Sequence, residues 1–329
     1  METKNEKKQE QSTREYSDEL KQELVKRAVE RENDMRGDYF RDYTAIFHSR
    51  PFRRLKHKTQ VFFDPKDDHI CTRMEHVLQV ASIAKTICMG LKKKNHDWNF
   101  LDEDLAYAIA LGHDLGHAPF GHTGEKELNA LLGRNEKFMH EINSYRVVSR
   151  IAGEHEHGLN LTYAVKDGII CHCGEKFEPE MAPTKEIKNL EKISDRENYP
   201  TTYEGCIVRF SDKIAYLGRD LEDTIAAGFF GEKGCNLPND KITEKLRECL
   251  KEKVGKNKIL KSELEQINRN VIDYFVKDIV KNSYKEDKIR LSTEAYETMK
   301  VLIEFCRIHI FVHPRIEEYK RYCKKSMKI

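Results

Sequence analysis

Hydrophobic and polar positions along most of this chain recur at helical spacing. From Thr72 to Asn95 the apolar set Val77, Val80, Ala81, Ala84, Ile87, Cys88 and Leu91 follows the i, i+3/i+4, i+7 rule of an amphipathic helix. Thr72 is its natural N-cap, and Gly90 with Lys92-Lys93-Lys94-Asn95 closes it. Asp102 to Leu115 predicts a second helix, and its run Leu105-Ala106-Tyr107-Ala108-Ile109-Ala110-Leu111 is apolar enough to be buried. After a turn at Pro119, Thr123 is placed to cap a third helix through Leu132. Residues 137–152 and 159–171 predict two more, and Thr202 to Phe230 a long one. At least three follow before the basic tail Lys324-Lys325-Ser326-Met327-Lys328-Ile329. Near the N-terminus, helical spacing runs from about Ser17 to Met35, and residues 1–16 read as a disordered polar tail.

Three stretches interrupt this pattern: Arg50-Pro51, the polar loop between Phe62 and Thr72, and residues 174–201, where Pro179, Pro183 and Pro200 stand among charges. A loop as long as the last, inside a compact domain, is often functional. No alternation is long enough to build a sheet. The expectation is an all-α chain: one helical domain over residues 17–329, with its core at about 40–230 and further helices at about 236–329.

Composition agrees. With 8 Pro and 17 Gly in 329 residues, turns are too few for an all-β protein. Lys+Arg 58 against Asp+Glu 56 leaves no excess that would advertise a nucleic-acid binder. No apolar run reaches the length of a membrane span, and Met1 to Arg14 lacks the apolar core of a signal peptide. The 9 cysteines follow no regular framework and read as free thiols of a cytoplasmic protein. Cys171-His172-Cys173 hints at a structural zinc site, but no second cysteine pair completes it.

The chemistry concentrates at residues 112–125, Gly-His-Asp-Leu-Gly-His-Ala-Pro-Phe-Gly-His-Thr-Gly-Glu. His113-Asp114 ends the apolar run of the second helix, where an unpartnered charge is costly. A metal ion is the simplest partner for both. On the long helix 202–230, Asp212, Tyr216, Arg219, Asp220 and Asp223 form a polar stripe beside Phe210, Ile214, Leu217, Leu221 and Ile225. Such stripes usually face solvent. Here Ile207-Val208 just before it and Tyr216 within it put Asp212 near the core. His76 sits one position before the apolar ridge that starts at Val77. Two imidazoles and two carboxylates, His76, His113, Asp114 and Asp212, make a mixed N/O set suited to one divalent ion of the Mn, Fe, Co, Ni or Mg group.

This H…HD…D order resembles that of the HD-domain metal-dependent phosphohydrolases. The segments Arg54-Leu-Lys-His-Lys-Thr-Gln60, Thr72-Arg-Met-Glu-His-Val-Leu-Gln-Val-Ala-Ser-Ile-Ala84, His113 through Glu125 and Asp212-Lys-Ile-Ala-Tyr-Leu-Gly-Arg-Asp-Leu-Glu-Asp223 are similar to the dGTP triphosphohydrolase family. The similarity runs from about residue 36 to about 230, and more loosely to His313-Pro314. It implies an all-α HD-domain fold with His76, His113, Asp114 and Asp212 as metal ligands, His122 as catalytic histidine and Glu125 as the carboxylate that orients it. It further implies His117 and His140 near the α-phosphate, Arg73 and Lys213 around the phosphates, and Gln60, Tyr216 and Asp220 at the deoxyribose. His140-Glu-Ile-Asn143 departs from the usual His-Asn-x-Gln pattern, which leaves Asn143 without a role.

The reaction implied is metal-dependent hydrolysis of a deoxynucleoside triphosphate to deoxynucleoside and triphosphate. Family resemblance also implies a homo-oligomer (dimer, tetramer or hexamer), with a dNTP effector or single-stranded DNA as further partners, and no membrane. Two alternatives stay open. One is an HD phosphohydrolase acting on a nucleoside monophosphate, a cyclic nucleotide or an alarmone; the other is a non-enzymatic, oligomeric nucleic-acid-binding protein with a vestigial site.

Overall fold

A computed structural model gives the fold; it describes residues 14–32, 35–58, 61, 70–132, 137–153, 156–172, 177–230, 238, 240–249 and 261–327. The described residues are almost wholly helical. The helices are α1 (Asp18–Leu24), α2 (Asp38–His48), α3 (Arg50–Arg54), α4 (Arg73–Lys94), α5 (Glu103–Gly112), α6 (Gly121–Leu131) and α7 (His140–Arg146). They continue with α8 (Tyr163–Ile170), α9 (Tyr203–Ala226), α10 (Lys241–Cys249), α11 (Lys261–Ser283), α12 (Thr293–Phe305) and α13 (Pro314–Ser326). The extended structure among the described residues is one antiparallel pair, β1 (Glu180–Met181) with β2 (Ile289–Arg290), in register Glu180↔Arg290 and Met181↔Ile289.

The centre is a three-helix stack. Helix α4 lies against α5 and α9, α2 covers another side of α5, and α11 lies across α4 and α9. Each of the three has a side-chain cap at its N-terminus, as expected of Thr72 in α4. Thr72 accepts from the Glu75 amide while Glu75 accepts from the Thr72 amide, a complete capping box. Asp102 caps α5 and Thr202 caps α9. Burial of the apolar faces does the rest: Val77, Val80, Ala84, Ile87 and Leu91 of α4, Ala106, Ile109 and Leu111 of α5 and Ile207, Ile214, Leu217 and Leu221 of α9 are fully buried. The hydrophobic cluster containing them reaches from Tyr16 to Ile316.

Several expectations shift. Residues 1–13 of the polar tail lie outside the described residues, but Tyr16 is buried, with its hydroxyl donating to Glu204 Oε2 at 2.8 Å. Arg14 ion-pairs with Asp97 and Asp287. The first helix is Asp18–Leu24 rather than a run to Met35, because Arg27 leaves the helical path to reach Asp42, Asp38 and the Asn160 carbonyl. Helix α6 starts at Gly121, so Thr123 lies inside its first turn. Phe120 precedes it with left-handed backbone (φ 66°) and Gly121 follows at φ 59°.

The long loop is anchored. Lys188 ion-pairs with the buried Asp167 at 3.0 Å, Tyr199 donates to Glu178 at 2.6 Å, and β1 joins the loop to the α11–α12 connection. No described helix is long and apolar enough to cross a membrane.

Candidate active site

The three central helices bring His76 of α4, His113 and Asp114 after α5, and Asp212 of α9 to one point. His76 Nε2 lies 3.0 Å from Asp212 Oδ1 and 4.0 Å from Asp114 Oδ2. His113 Nε2 lies 3.5 Å from Asp114 Oδ1 and 3.7 Å from Asp212 Oδ1, beyond hydrogen-bonding reach. The His113 Nδ1–H donates to the Ala110 carbonyl at 2.6 Å, which fixes the tautomer and leaves Nε2 as the ring's lone pair. That nitrogen is buried and has no hydrogen-bond partner among the described residues. A lone pair facing two carboxylates needs a cation between them. A divalent metal fits this donor set, with His76, His113, Asp114 and Asp212 as the residues that would hold it.

The electrostatics agree. Burial alone would depress His113, but the Asp114 and Asp212 carboxylates outweigh it and raise the imidazole to about 9, so a proton is drawn to the position that suits a metal. Burial likewise pushes Asp114 and Asp212 upward, yet His117, Arg73 and His113 around the first, and His113 and His76 around the second, hold both well below the usual carboxylate range.

The turn that carries His113-Asp114 is stapled from α7. The Ser144 hydroxyl donates to the His113 carbonyl at 2.5 Å and accepts from the Gly116 amide at 2.9 Å. Asn143, left without a role by the sequence, donates to the Gly116 carbonyl at 2.8 Å. A Cβ on Gly116 would sit 2.0 Å from the Ser144 amide nitrogen, so only glycine permits this approach. The Lys58 ammonium closes the turn from the other side by donating to the His117 carbonyl at 2.8 Å.

Next to the cation point is a cavity of about 520 Å³, lined by Arg73, His76, Asp114, His117, His122, His140, Asp212, Lys213, Tyr216 and Asp220. Two further expected residues stand directly behind it, His113 and Glu125, both buried. Gln60 lies outside the described residues. Arg73 donates through Nη1 to Asp114 Oδ2 at 2.5 Å, while its buried Nε and Nη2 have no partner among the described residues. His117 Nε2 lies 3.1 Å from Asp114 Oδ1 and its Nδ1 is likewise buried without a partner. Asp220 Oδ2 is a buried, unpartnered acceptor, and burial and the neighbouring Asp223 hold its carboxyl well above its usual range. Donors and acceptors left unmatched in one cavity mark a site for a polar ligand.

The histidine pairing differs from expectation. Glu125 accepts from His140 Nδ1 at 2.9 Å rather than from His122. The two share α6 three residues apart, but Glu125 is buried toward α7 and His122 faces the cavity. His140, at the start of α7, is therefore the ring that Glu125 reaches. Arg196 clamps the pair from the long loop: it donates to Glu125 Oε1 at 2.6 Å and ion-pairs with Glu141 at 2.7 Å. His122 is exposed to the cavity. The protein packed beside it, then His140 and Arg73, push its imidazole below its ordinary range.

Sequence reasoning missed Arg196, and also Phe120 and the wall formed by Phe311, Ile316, Tyr319 and Lys320. It missed His172 as well, although a signal was present: His172 follows the buried run of α8 as His113 follows that of α5. Its ring lies 4.9 Å from that of His113 and 5.4 Å from that of His140, inside the cluster. Cys171 instead pairs with Asp167 and Lys188, and Cys173 lies outside the described residues.

Helices that carry His, His-Asp and Asp to one point in this order define an HD domain, and residues 73–217 match the HD domain family. The chain is 37% identical over 292 residues to a deoxyguanosinetriphosphate triphosphohydrolase-like protein of Caldanaerobacter subterraneus subsp. tengcongensis, covering 88% of this chain and 70% of that one. It is 36% identical over 290 residues to one of Desulfatibacillum aliphaticivorans (87% and 70%) and 38% identical over 276 residues to one of Clostridium tetani (84% and 65%). The chain belongs to this deoxyguanosinetriphosphate triphosphohydrolase-like family.

Proposed function

We propose that the protein hydrolyses deoxynucleoside triphosphates to a deoxynucleoside and inorganic triphosphate, with a divalent metal (Mn, Mg, Fe, Co or Ni) bound by His76, His113, Asp114 and Asp212. One observation carries the reading: the lone pair of His113, the unpartnered Arg73 donors and the unpartnered Asp220 acceptor line or border a single cavity. The relatives' names point the same way.

The metal, when bound, polarises the α-phosphate and acidifies a water. The chain's own residues do the remainder. Arg73 and Lys213 neutralise phosphate charge as preorganised donors, with His117 beside the α-phosphate. Tyr216 and Asp220, one turn apart on α9, face the sugar: the ring leaves no room for a 2′-hydroxyl and the carboxyl meets the 3′-hydroxyl. His122 moves the proton. The bond between α-phosphorus and the 5′-oxygen breaks, water supplies the new P–OH, and the proton water loses ends on the departing 5′-oxygen. Binding a polyanion raises the proton affinity of His122 above that of the free protein. His140, held by Glu125 and Arg196, stands within the same cluster as its neighbour. The active species is a homo-oligomer, which sedimentation at micromolar concentration checks.

The test is release of triphosphate from the four dNTPs, with NTPs, a deoxynucleoside monophosphate and a cyclic nucleotide alongside, in Mn(II) or Mg(II) and in excess chelator. Metal-dependent triphosphate from dNTPs alone is expected. Turnover of the monophosphate or cyclic compound without triphosphate release would replace this reading with another HD phosphohydrolase.

A further inference from the structure

We infer that Asp223, which is outside the cavity lining, is a positioning residue: it pins the start of α4 to α9 and so sets Arg73 against Asp220. The inference rests on the proposed function for the roles of Arg73 at the phosphates and Asp220 at the sugar. It gives a part in the reaction to the end of the α9 polar stripe, Arg219 and Asp223, which that function leaves unused.

Asp223 stands one turn beyond Asp220 on α9 and is buried. Its Oδ2 accepts from the Cys71 amide at 3.0 Å, and its Oδ1 lies 3.3 Å from Arg219 Nε. Cys71 comes just before the Thr72 cap, two residues before Arg73. The capping box satisfies donors within the first turn of α4 but does not fix that turn against another helix. Polar contacts hold it to α9 at two places. One is the approach of His76 to Asp212 at 3.0 Å. The other is the Asp223 group, which Arg219 extends by reaching Glu222 at 3.3 Å and Glu75 of the capping box at 3.9 Å. Tyr216 and Asp220 lie between the two places on α9.

Stability alone does not call for a carboxylate here. Burial lifts the Asp223 carboxyl to about 7 although Arg219 and the Cys71 amide oppose it. A well-packed apolar side chain beside Leu221 and Ile225 would hold the helices together at less cost. A directed bond adds register: apolar faces can slide along one another, whereas the Cys71 amide meets Asp223 at one setting. That setting matters at the cavity. Arg73 and Asp220 are close enough for the guanidinium to lower the Asp220 carboxyl, and both present buried polar atoms without a partner among the described residues. Misplacing two binding groups by about 1 Å can cost on the order of 10²-fold in rate.

The experiment compares the full-length wild type, Asp223→Ala and Asp223→Asn by amide hydrogen exchange and by steady-state kinetics in Mn(II). Asp223→Ser, polar but too short to reach the amide, replaces the alanine variant if that one does not fold. Loss of the pin is expected to speed exchange across Cys71–His76 at least about 10-fold and to leave α5 unchanged. KM for the best dNTP should rise about 10-fold or more, and by more than kcat falls. Inhibition by the deoxynucleoside product, which meets Tyr216 and Asp220 but not Arg73, should stay within about twofold of wild type. Asp223→Asn keeps an oxygen that accepts from Cys71, so it should recover most of the loss. Equal weakening of dNTP and deoxynucleoside, or an asparagine variant as impaired as the alanine one, would overturn the positioning role. Unchanged exchange at Cys71–His76 in Asp223→Ala would overturn the pin whatever the wild type hydrolyses. No triphosphate release by wild type, with faster exchange in the variant, would overturn the proposed function and uphold the pin.

Discussion

The side of the cavity that carries His76, His113, Asp114 and Asp212 stands on α4, the end of α5 and α9, helices that pack directly on one another. The facing side is assembled from the starts of α6 and α7, an anchored loop and the C-terminal helix α13. Arg196 holds it from the loop, reaching Glu125 and Glu141. The proposed ligand set is thus placed on helices at the centre of the core. Groups that must meet a substrate and let it go are placed where a few polar bonds hold them.

Substitutions can break or sharpen that contrast. The largest effect belongs to the helical side. Asp114→Ala removes a proposed ligand of the cation and the partner of Arg73, so triphosphate release is expected to fall by at least about 10³-fold, with metal lost and helix content retained. Equilibrium dialysis and circular dichroism on one preparation check it. On the facing side, His122→Ala is expected to lower kcat by about 10²–10⁴-fold while metal binding at His113 persists. Near-normal turnover would transfer the proton to His140, the ring that Glu125 holds. Arg196→Ala is milder. By analogy with outer-shell partners it is expected to cost about 10–100-fold in kcat, with recovery by Arg196→Lys incomplete because lysine lacks the fork that spans Glu125 and Glu141; steady-state kinetics decide.

The smallest effect at the cavity comes from Glu204, at the opposite end of α9. Burial raises its carboxyl to about 7, against the hydrogen bonds from the Asp102 amide and Tyr16. The folded state therefore holds a proton that the unfolded state releases near 4.5. Between those values stability falls as pH rises, by on the order of 1–3 kcal/mol, and the loss is complete above about 7. Urea midpoints at pH 5 and pH 8 should show this decline in wild type and lack it in Glu204→Gln, with kcat unchanged. An altered kcat would mean that the two ends of α9 are coupled.

The helical side was legible because its ligands ride on strong periodicity. Val77 to Leu91 sets the face of α4, and the run Leu105 to Leu111 delivers His113-Asp114 to a buried end. The facing side was legible only as a motif. That His122, Glu125 and His140 lie close together could be inferred, but which ring Glu125 would reach depended on how α7 docks. Arg196 sat in a proline-rich charged stretch with no period to read. Tyr16 looked like part of a tail until tertiary burial claimed it, and Arg27 ended a helix that local spacing would have continued. Each miss is a long-range polar bond overriding local preference.

The short β1–β2 pair has a consequence for any attempt to transplant this chemistry. The HD match closes at residue 217, and His76, His113, Asp114 and Asp212, the proposed cation ligands, all fall before it. Yet the loop that bears Arg196 is pinned through Glu180–Met181 to Ile289–Arg290, and the cavity is walled by Tyr319 and Lys320. The segment recognised as a module is thus shorter than the machine. Grafted alone onto another scaffold, it would bring the cation ligands and leave behind both the anchor of its clamp and one side of its pocket.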